Sequence, residues 1–132
     1  MLKYMLDTNI AIYVIKQRPL KALEQFNIHA QFLCISAISQ AELIHGAEKS
    51  DHIERNLKTV EDFCSRLSVV TYGKNAAMHY GQIRADLERR GEMIGVNDLH
   101  IAGHARSEGL KLITNNKREF DRIDGLQVGN WV

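Results

Sequence analysis

The chain has 132 residues, of which 45% are hydrophobic and 25% are charged, and this composition excludes a disordered or fibrous protein. We expect one domain, residues 1–132, with a single hydrophobic core. Lys and Arg number 17 against 16 Asp and Glu, so the net charge indicates neither a nucleic-acid nor a membrane partner. Evidence for a charged partner must therefore come from local clusters of charged residues.

The first half of the chain alternates between strand and helix patterns. A short apolar run stops at Asp7, and apolar residues then resume at helical spacing. Pro19 suits the first turn of a further helix. The predicted elements of this half are a strand over 3–6, a helix over 8–16, a helix from Pro19 to about residue 26, a strand over 32–35 and a helical segment over 36–50.

The second half continues this alternation. Asn97 or Asp98 is positioned to cap a helix that ends at Gly109. The predicted elements of this half are a helix over 52–66, a strand over 67–72, a helix that stops near Gly91, a loop over 91–97, the capped helix, a strand over 110–114, a helical turn around Glu119 and a short strand near Val128.

Alternating strands and helices predict an α/β sandwich with a parallel sheet. Parallel neighbours need crossover connections, and the helices that make these crossovers cover both faces of the sheet. Ligands of such sheets bind beyond the carboxyl ends of the strands, where loops and helix amino termini meet. We therefore looked for polar residues directly after the predicted strands.

The apolar start of the chain is interrupted at Asp7 and Asn9, which argues against a signal peptide, and no apolar run approaches membrane-spanning length. We expect a cytoplasmic protein. Cys34 and Cys64 lie in apolar segments far apart and predict two buried thiols, although the spacing leaves a single disulfide possible.

Three acids have the position that a site at the sheet edge requires. Asp7 closes the first strand, Glu42 lies within two turns of the second, and Asp98 opens the helix before the strand over 110–114. Asn116 and Glu119 follow that last strand. Three carboxylates in one cleft repel one another and raise at least one pKa, a penalty that a cation removes. Oxygen ligands without Cys or His select Mg²⁺ or Mn²⁺, which predicts phosphodiester hydrolysis.

Each acid also has a purely structural interpretation. Asp7 and Asp98 suit helix N-caps, and the segment from Ser39 to Glu42 fits a capping box. Periodicity alone leaves the structural and functional interpretations equally balanced. The shared edge of the three acids favours a functional site.

Four ordered motifs carry a resemblance over essentially the whole chain. They are "MLDTNI", "ISAISQAEL" around Glu42, "NDLHIAGHA" around Asp98 and "LITNNKREF". In this order and spacing they resemble PIN-domain ribonucleases, and most of all VapC, the toxin of the VapBC toxin–antitoxin systems. The resemblance implies a three-layer α/β/α PIN-like sandwich with a central parallel sheet.

The resemblance also implies a Mg²⁺- or Mn²⁺-dependent endoribonuclease that is inhibited by a VapB antitoxin. It implies cleavage of structured RNA, with the anticodon stem-loop of initiator tRNA favoured, and a homodimer within a larger toxin–antitoxin assembly. Asp7, Glu42 and Asp98 correspond to the acidic metal site of the family. The positions that correspond to supporting polar residues are Thr8, Asn9, Ser36 and Thr114.

The chain departs from the pattern of many PIN domains at their fourth acidic position. Asn116 stands there, with Glu119 nearby. The resemblance therefore implies one metal site more firmly than two.

Two other classes of protein compete with this interpretation. A receiver-like phosphoacceptor domain also binds Mg²⁺ in a parallel α/β fold, but it requires paired acids after the first strand and another Asp after the third, which this sequence lacks. A catalytically inactive PIN-like binding module is disfavoured by the complete set of three acids.

Some local signals are weaker. His100 and His104 have the spacing of a two-histidine zinc site, but no Glu follows the first and no third ligand is evident. Glu42 and His45 form one Glu-x-x-His, whereas a di-iron bundle needs two. The basic residues that could contact RNA are Lys16, Arg18, Arg84, Arg89, Arg90, Lys117, Arg118 and Arg122.

Overall fold

The computed structural model describes residues 1–132 as a five-stranded sheet flanked by helices. The strands are β1 (Tyr4–Leu6), β2 (Leu33–Ser36), β3 (Ser68–Val70), β4 (Lys111–Ile113) and β5 (Val128–Gly129). The helices are α1 (Thr8–Lys16), α2 (Leu20–His29), α3 (Ala37–Glu48), α4 (Ile53–Ser65), α5 (Lys74–Arg90), α6 (Val96–Ser107) and α7 (Lys117–Phe120). A 3₁₀ turn over Ala30–Phe32 precedes β2.

The sheet has the strand order β3-β2-β1-β4-β5, and every neighbouring pair is parallel. β1 lies at the centre, where Met5 pairs with Cys34 of β2 and with Leu112 of β4. Parallel pairing brings the carboxyl ends of all the strands to one edge. The α/β sandwich and its parallel sheet, both predicted from the sequence, are confirmed.

The hydrophobic core consists of two layers, one on each face of the sheet. Successive residues of a strand point to opposite faces, so Met5 packs with α5 and α6 residues such as Leu87 and Leu99, whereas Leu6 packs with Phe26 and Phe63 of α2 and α4. The prediction of a single core was therefore wrong, because the sheet separates the apolar side chains into two clusters of equal size.

Three capping predictions can be compared with the observed helix starts. Asp7 caps α1, as predicted. The N-cap of α3 is Ser36, whose hydroxyl accepts a hydrogen bond from the backbone N–H of Ile38 at 3.0 Å. The segment from Ser39 to Glu42 therefore lies inside the helix, and the predicted capping box was wrong.

The predicted cap of α6 was also wrong. This helix begins at Val96 with Gly95 at the N-cap position, which places both Asn97 and Asp98 in the first turn. Asp98 is consequently free of capping hydrogen bonds and can face a cavity. The carboxylate still lies at the positive end of the helix dipole.

Smaller differences concern element ends and the thiols. α2 begins directly after Pro19 and continues to His29, three residues beyond the predicted end. Both cysteines are free thiols; Cys34 is buried as predicted, but Cys64 is only partly buried. None of the helices combines the length and the apolar character needed to cross a bilayer.

Candidate functional site

The carboxyl end of β1, helices α1 and α3 and the first turn of α6 surround a cavity of about 380 Å³. The three predicted acids Asp7, Glu42 and Asp98 all line it, so chain segments far apart in sequence converge as expected. The complete lining is Asp7, Thr8, Asn9, Ile12, Glu42, His45, Gly46, Lys49, Asn97 and Asp98. We call this space the acidic cavity.

Asp7 is held by two hydrogen bonds on different oxygens. Its Oδ1 accepts from the Thr8 backbone N–H at 2.8 Å, and its Oδ2 accepts from the Thr114 hydroxyl at 2.7 Å. Burial raises the pKa of Asp7, with a smaller contribution from the Glu42 charge, although both hydrogen bonds oppose the shift. One carboxylate therefore caps α1 and also lines the acidic cavity.

Glu42 is oriented by a chain of hydroxyl groups. The Thr8 hydroxyl donates to Glu42 Oε1 at 2.6 Å and lies 2.8 Å from the Ser39 hydroxyl. A hydroxyl has one proton, so Ser39 donates to Thr8 while Thr8 donates to Glu42. Ser39 was missed as a site residue, although its position three residues before Glu42 on a helix indicates a shared face.

Asp98 is the acid of the three whose ionisation is most strongly disfavoured. Burial, followed by the negative charges of Asp7, Glu42 and Glu119, raises the pKa of Asp98 to about 6. Glu119 does not line the acidic cavity, yet it lies close enough to contribute to this potential. Three other carboxylates therefore act together on Asp98.

This donor set fits a hard divalent cation. Raised pKa values of Asp7 and Asp98 arise partly from like charges, and a bound cation removes that repulsion. The lining carboxylates are oxygen ligands, the type that Mg²⁺ and Mn²⁺ prefer. No three His, Cys, Asp or Glu side chains are already close enough together to form a metal cluster, so binding requires the carboxylates to adjust.

The predicted supporting residues have different environments. Thr114 contacts Asp7 directly, and the backbone N–H of Asn116 donates to the Thr114 hydroxyl at 2.9 Å. Asn9 lines the acidic cavity and is exposed. Ser36 contacts none of the acids; besides capping α3, its hydroxyl lies 2.7 Å from Nδ1 of the buried His104.

The two histidines considered for zinc have separate partners. His104 pairs with Ser36, whereas Nδ1 of His100 lies 2.7 Å from the Tyr72 hydroxyl. His100 also stacks on Tyr80, with ring centroids 4.0 Å apart. These histidines belong to the packing between α5, α6 and the end of β3.

His45 and Lys49 also line the acidic cavity, although His45 was considered only as part of a di-iron motif and Lys49 was not predicted as a site residue. Both lie on α3 or at its carboxyl end, three and seven residues after Glu42. This spacing places them on the same side of the helix as Glu42. Helical spacing from Glu42 was the signal that could have found them.

Comparison with known proteins identifies the class. A family model described as "PIN domain" matches residues 4–126. "Ribonuclease VapC2" of Haemophilus influenzae is 57% identical over 132 residues and covers 100% of both chains. "tRNA(fMet)-specific endonuclease VapC" of Shigella flexneri is 53% identical over 131 residues and covers 99% of both.

Solved structures agree with these relatives. The chain superposes with a TM-score of 0.96 on a DNA-bound VapBC crystal structure from Salmonella typhimurium, at 53% identity and 100% coverage of both chains. A VapBC2 structure from Rickettsia felis, bound to a DNA fragment, gives a TM-score of 0.93 at 39% identity, with 99% and 100% coverage.

The chain belongs to the PIN-domain family, and within that family it is a homologue of the VapC ribonucleases. The resemblance inferred from the four motifs and the PIN-like fold are thus confirmed. The family assignment also shows that the receiver-like alternative was wrong. PIN-domain nucleases are hydrolases and generally depend on a divalent metal ion.

Proposed function

We propose that this chain is a metal-dependent endoribonuclease, the toxin of a VapBC-type toxin–antitoxin system, and that it inhibits translation by cleaving structured RNA. The observation that carries the proposal is the convergence of Asp7, Glu42 and Asp98 on one cavity, with mutual repulsion between their charges. The relatives named as tRNA(fMet)-specific endonucleases favour the anticodon stem-loop of initiator tRNA as the substrate.

Asp7, Glu42 and Asp98 are the residues that would hold the ion, which we take to be Mg²⁺ or Mn²⁺. When bound, such an ion activates a water molecule and neutralises charge on the phosphoryl group. Thr114 and the Thr8 backbone N–H keep the Asp7 carboxylate in one orientation, and the Thr8 hydroxyl does the same for Glu42. These hydrogen bonds orient Asp7 and Glu42 before substrate binds, and the three carboxylates would still have to move closer together to hold the ion.

We infer one tightly held ion. Asn116 can offer an amide oxygen but no negative charge, and Glu119 lies beside the acidic cavity and not in its lining. A second ion would therefore bind weakly, or only with an RNA phosphate as an additional ligand.

The partners follow from the solved relatives. VapBC complexes support a VapB-type antitoxin as the inhibitor of this chain. We further propose that the toxin forms a homodimer within the larger assembly. We propose that this activity takes place in the cytoplasm, where tRNA takes part in translation. Residues 1–132 would act as a single PIN domain.

Neutral isosteres of the three acids test the proposal. Asp7→Asn, Glu42→Gln and Asp98→Asn should each lower the rate of RNA cleavage by at least 100-fold, because each removes a ligand charge while conserving side-chain shape. EDTA should stop cleavage by the unmodified protein, and Mg²⁺ or Mn²⁺ should restore it. Cleavage of an RNA stem-loop and thermal melting are measured side by side.

Glu88→Gln is the matched control, since Glu88 is an exposed acid on α5 that pairs with Arg84 at 3.8 Å, a kind of pair that contributes little to stability. It should cleave RNA at the unmodified rate. Unchanged cleavage in any one of the three variants removes that residue from the site. No cleavage by the unmodified protein with metal would favour the inactive binding module.

A further inference from the structure

The acidic cavity has a basic end as well as an acidic one. Glu42, His45 and Lys49 all line it and follow one another along one side of α3. At 1.5 Å per residue, Glu42 and Lys49 are separated by roughly 10 Å along the helix axis. Two side chains that start this far apart in one continuous space can contact different groups of one extended ligand.

The Lys49 ammonium has no partner within the protein. It takes part in none of the ion pairs of the structure, although acids line the same cavity. His45 is also exposed, and its ring makes no hydrogen bond to another side chain. Both groups are therefore available to a ligand that enters the acidic cavity.

Gly46 lies in the lining of the acidic cavity, between Glu42 and Lys49 along α3. A Cβ at this position would meet nothing within 4 Å, so packing does not demand glycine there. Glycine inside a helix costs about 0.5–1 kcal/mol relative to alanine. Glycine nevertheless leaves this part of the lining without a side chain, between Glu42 and Lys49.

Acids at one end of a cavity and a lysine with a neighbouring histidine at the other suit a polyanion that runs through it. A metal-bound phosphate would lie at Glu42, and a neighbouring phosphate of the same strand would lie at the basic end. We propose that Lys49, assisted by His45, binds an RNA backbone phosphate next to the one that is cleaved. This inference rests on the proposed ribonuclease function and adds the residues that position the strand.

A purely structural role for Lys49 is the alternative. A cation at the carboxyl end of α3 interacts favourably with the helix dipole. This role predicts that removing the cation lowers the stability of the protein without changing its affinity for RNA. The two roles separate in the salt dependence of binding. Removing one cation that neutralises a phosphate of a single strand lowers the slope of log K against log salt by about 0.7.

The experiment measures binding of a synthetic initiator-tRNA anticodon stem-loop in EDTA over a series of salt concentrations, together with KM and kcat in Mg²⁺. Lys49→Ala should raise Kd and KM roughly fivefold to tenfold, leave kcat within twofold, and lower the salt slope by about 0.7. Lys49→Arg should restore Kd, KM and the salt slope. His45→Ala should raise Kd about twofold.

Lys111→Ala is the control. Lys111 is exposed and lies at the start of β4, whereas Thr114, which contacts Asp7 of the acidic cavity, follows the other end of that strand. This variant should bind RNA like the unmodified chain. A Kd and slope unchanged in Lys49→Ala overturn the proposal, as does a weaker Kd with an unchanged slope. Such results leave the ribonuclease function standing if the unmodified chain cleaves RNA, whereas absence of that cleavage counts against the function itself.

Discussion

Asp98 shows how the site opposes the stability of the metal-free protein. Its pKa is about 6 in the folded chain, against an ordinary value of 3.8, because burial and the charges of Asp7, Glu42 and Glu119 disfavour its ionised form. In the unfolded chain these causes are absent. Between about pH 4 and pH 6 the folded protein therefore binds more protons than the unfolded protein, so this group lowers stability as pH rises.

Asp98→Asn should relieve this penalty. Without metal, the variant should be more stable than the unmodified chain at pH 7.5, and the difference should shrink at pH 4.5, where Asp98 is protonated in the folded state. Because Asp98 is partly exposed and solvent screens its neighbours, we expect an effect on the order of 1 kcal/mol, a shift of a few degrees in melting temperature.

Thermal melting in EDTA at the two pH values measures this difference. Glu24→Gln, at an exposed acid of α2 without an ion pair, controls for the loss of one negative charge and should show no such dependence on pH. An Asp98→Asn variant that is less stable at pH 7.5 than at pH 4.5, relative to the unmodified chain, would contradict the assigned repulsion.

α5 and α6 pack closely because Gly103 presents no side chain at their crossing. A Cβ built there would lie 2.8 Å from the backbone N and 3.0 Å from the Cα of Tyr80, and 3.2 Å from the carbonyl oxygen of Ala76. These are backbone atoms of α5, which cannot move away without shifting the whole helix. Since α6 also carries Asp98, this contact helps to determine where Asp98 faces the acidic cavity.

Gly103→Ala should therefore destabilise the protein by about 1–3 kcal/mol, because overpacking outweighs the higher helix propensity of alanine. Gly81→Ala is the matched control on α5, where a Cβ would meet nothing within 4 Å; it should stabilise the protein by roughly 0.5–1 kcal/mol. Urea denaturation of both variants gives the comparison. A stabilised Gly103→Ala would mean that the two helices are not held this closely.

The fold brings three acids without ion pairs, Asp7, Glu42 and Asp98, into one cavity, where an inhibitor could neutralise them. A guanidinium pairs with carboxylates through two parallel hydrogen bonds. We expect the VapB-type antitoxin to place an Arg in the acidic cavity, where it would exclude both metal and RNA. This mechanism links inhibition to the same residues as cleavage.

Asp7→Asn should then weaken antitoxin binding by about tenfold, since the variant lacks one carboxylate of the pairing. Calorimetric titration of the antitoxin into both proteins measures the difference, and Glu88→Gln should bind like the unmodified chain. If the bound antitoxin protects only surfaces remote from Asp7 and Asp98, inhibition does not proceed through the acidic cavity, even though the complex forms.

Much of the fold and part of the site could be predicted from sequence because the relevant signals are local. The α1 bounds follow from apolar spacing after Asp7, and the short strands follow from their β-branched and apolar runs. Alternation of strands and helices implies parallel pairing, and this in turn places Asp7, Glu42 and Asp98 at one edge. The four motifs identified the PIN-domain family without any coordinates.

The remaining features depend on contacts between distant segments, which no local pattern encodes. Ser39 had the spacing of a capping box but bonds to Thr8, 31 residues away, because α1 and α3 pack side by side. The pKa of Asp98 depends on how near three other carboxylates come once the chain is folded. Helical spacing relates Lys49 to Glu42, but only the folded chain brings Lys49 into the same cavity as Asp7 and Asp98, because their helices meet at one edge of the sheet.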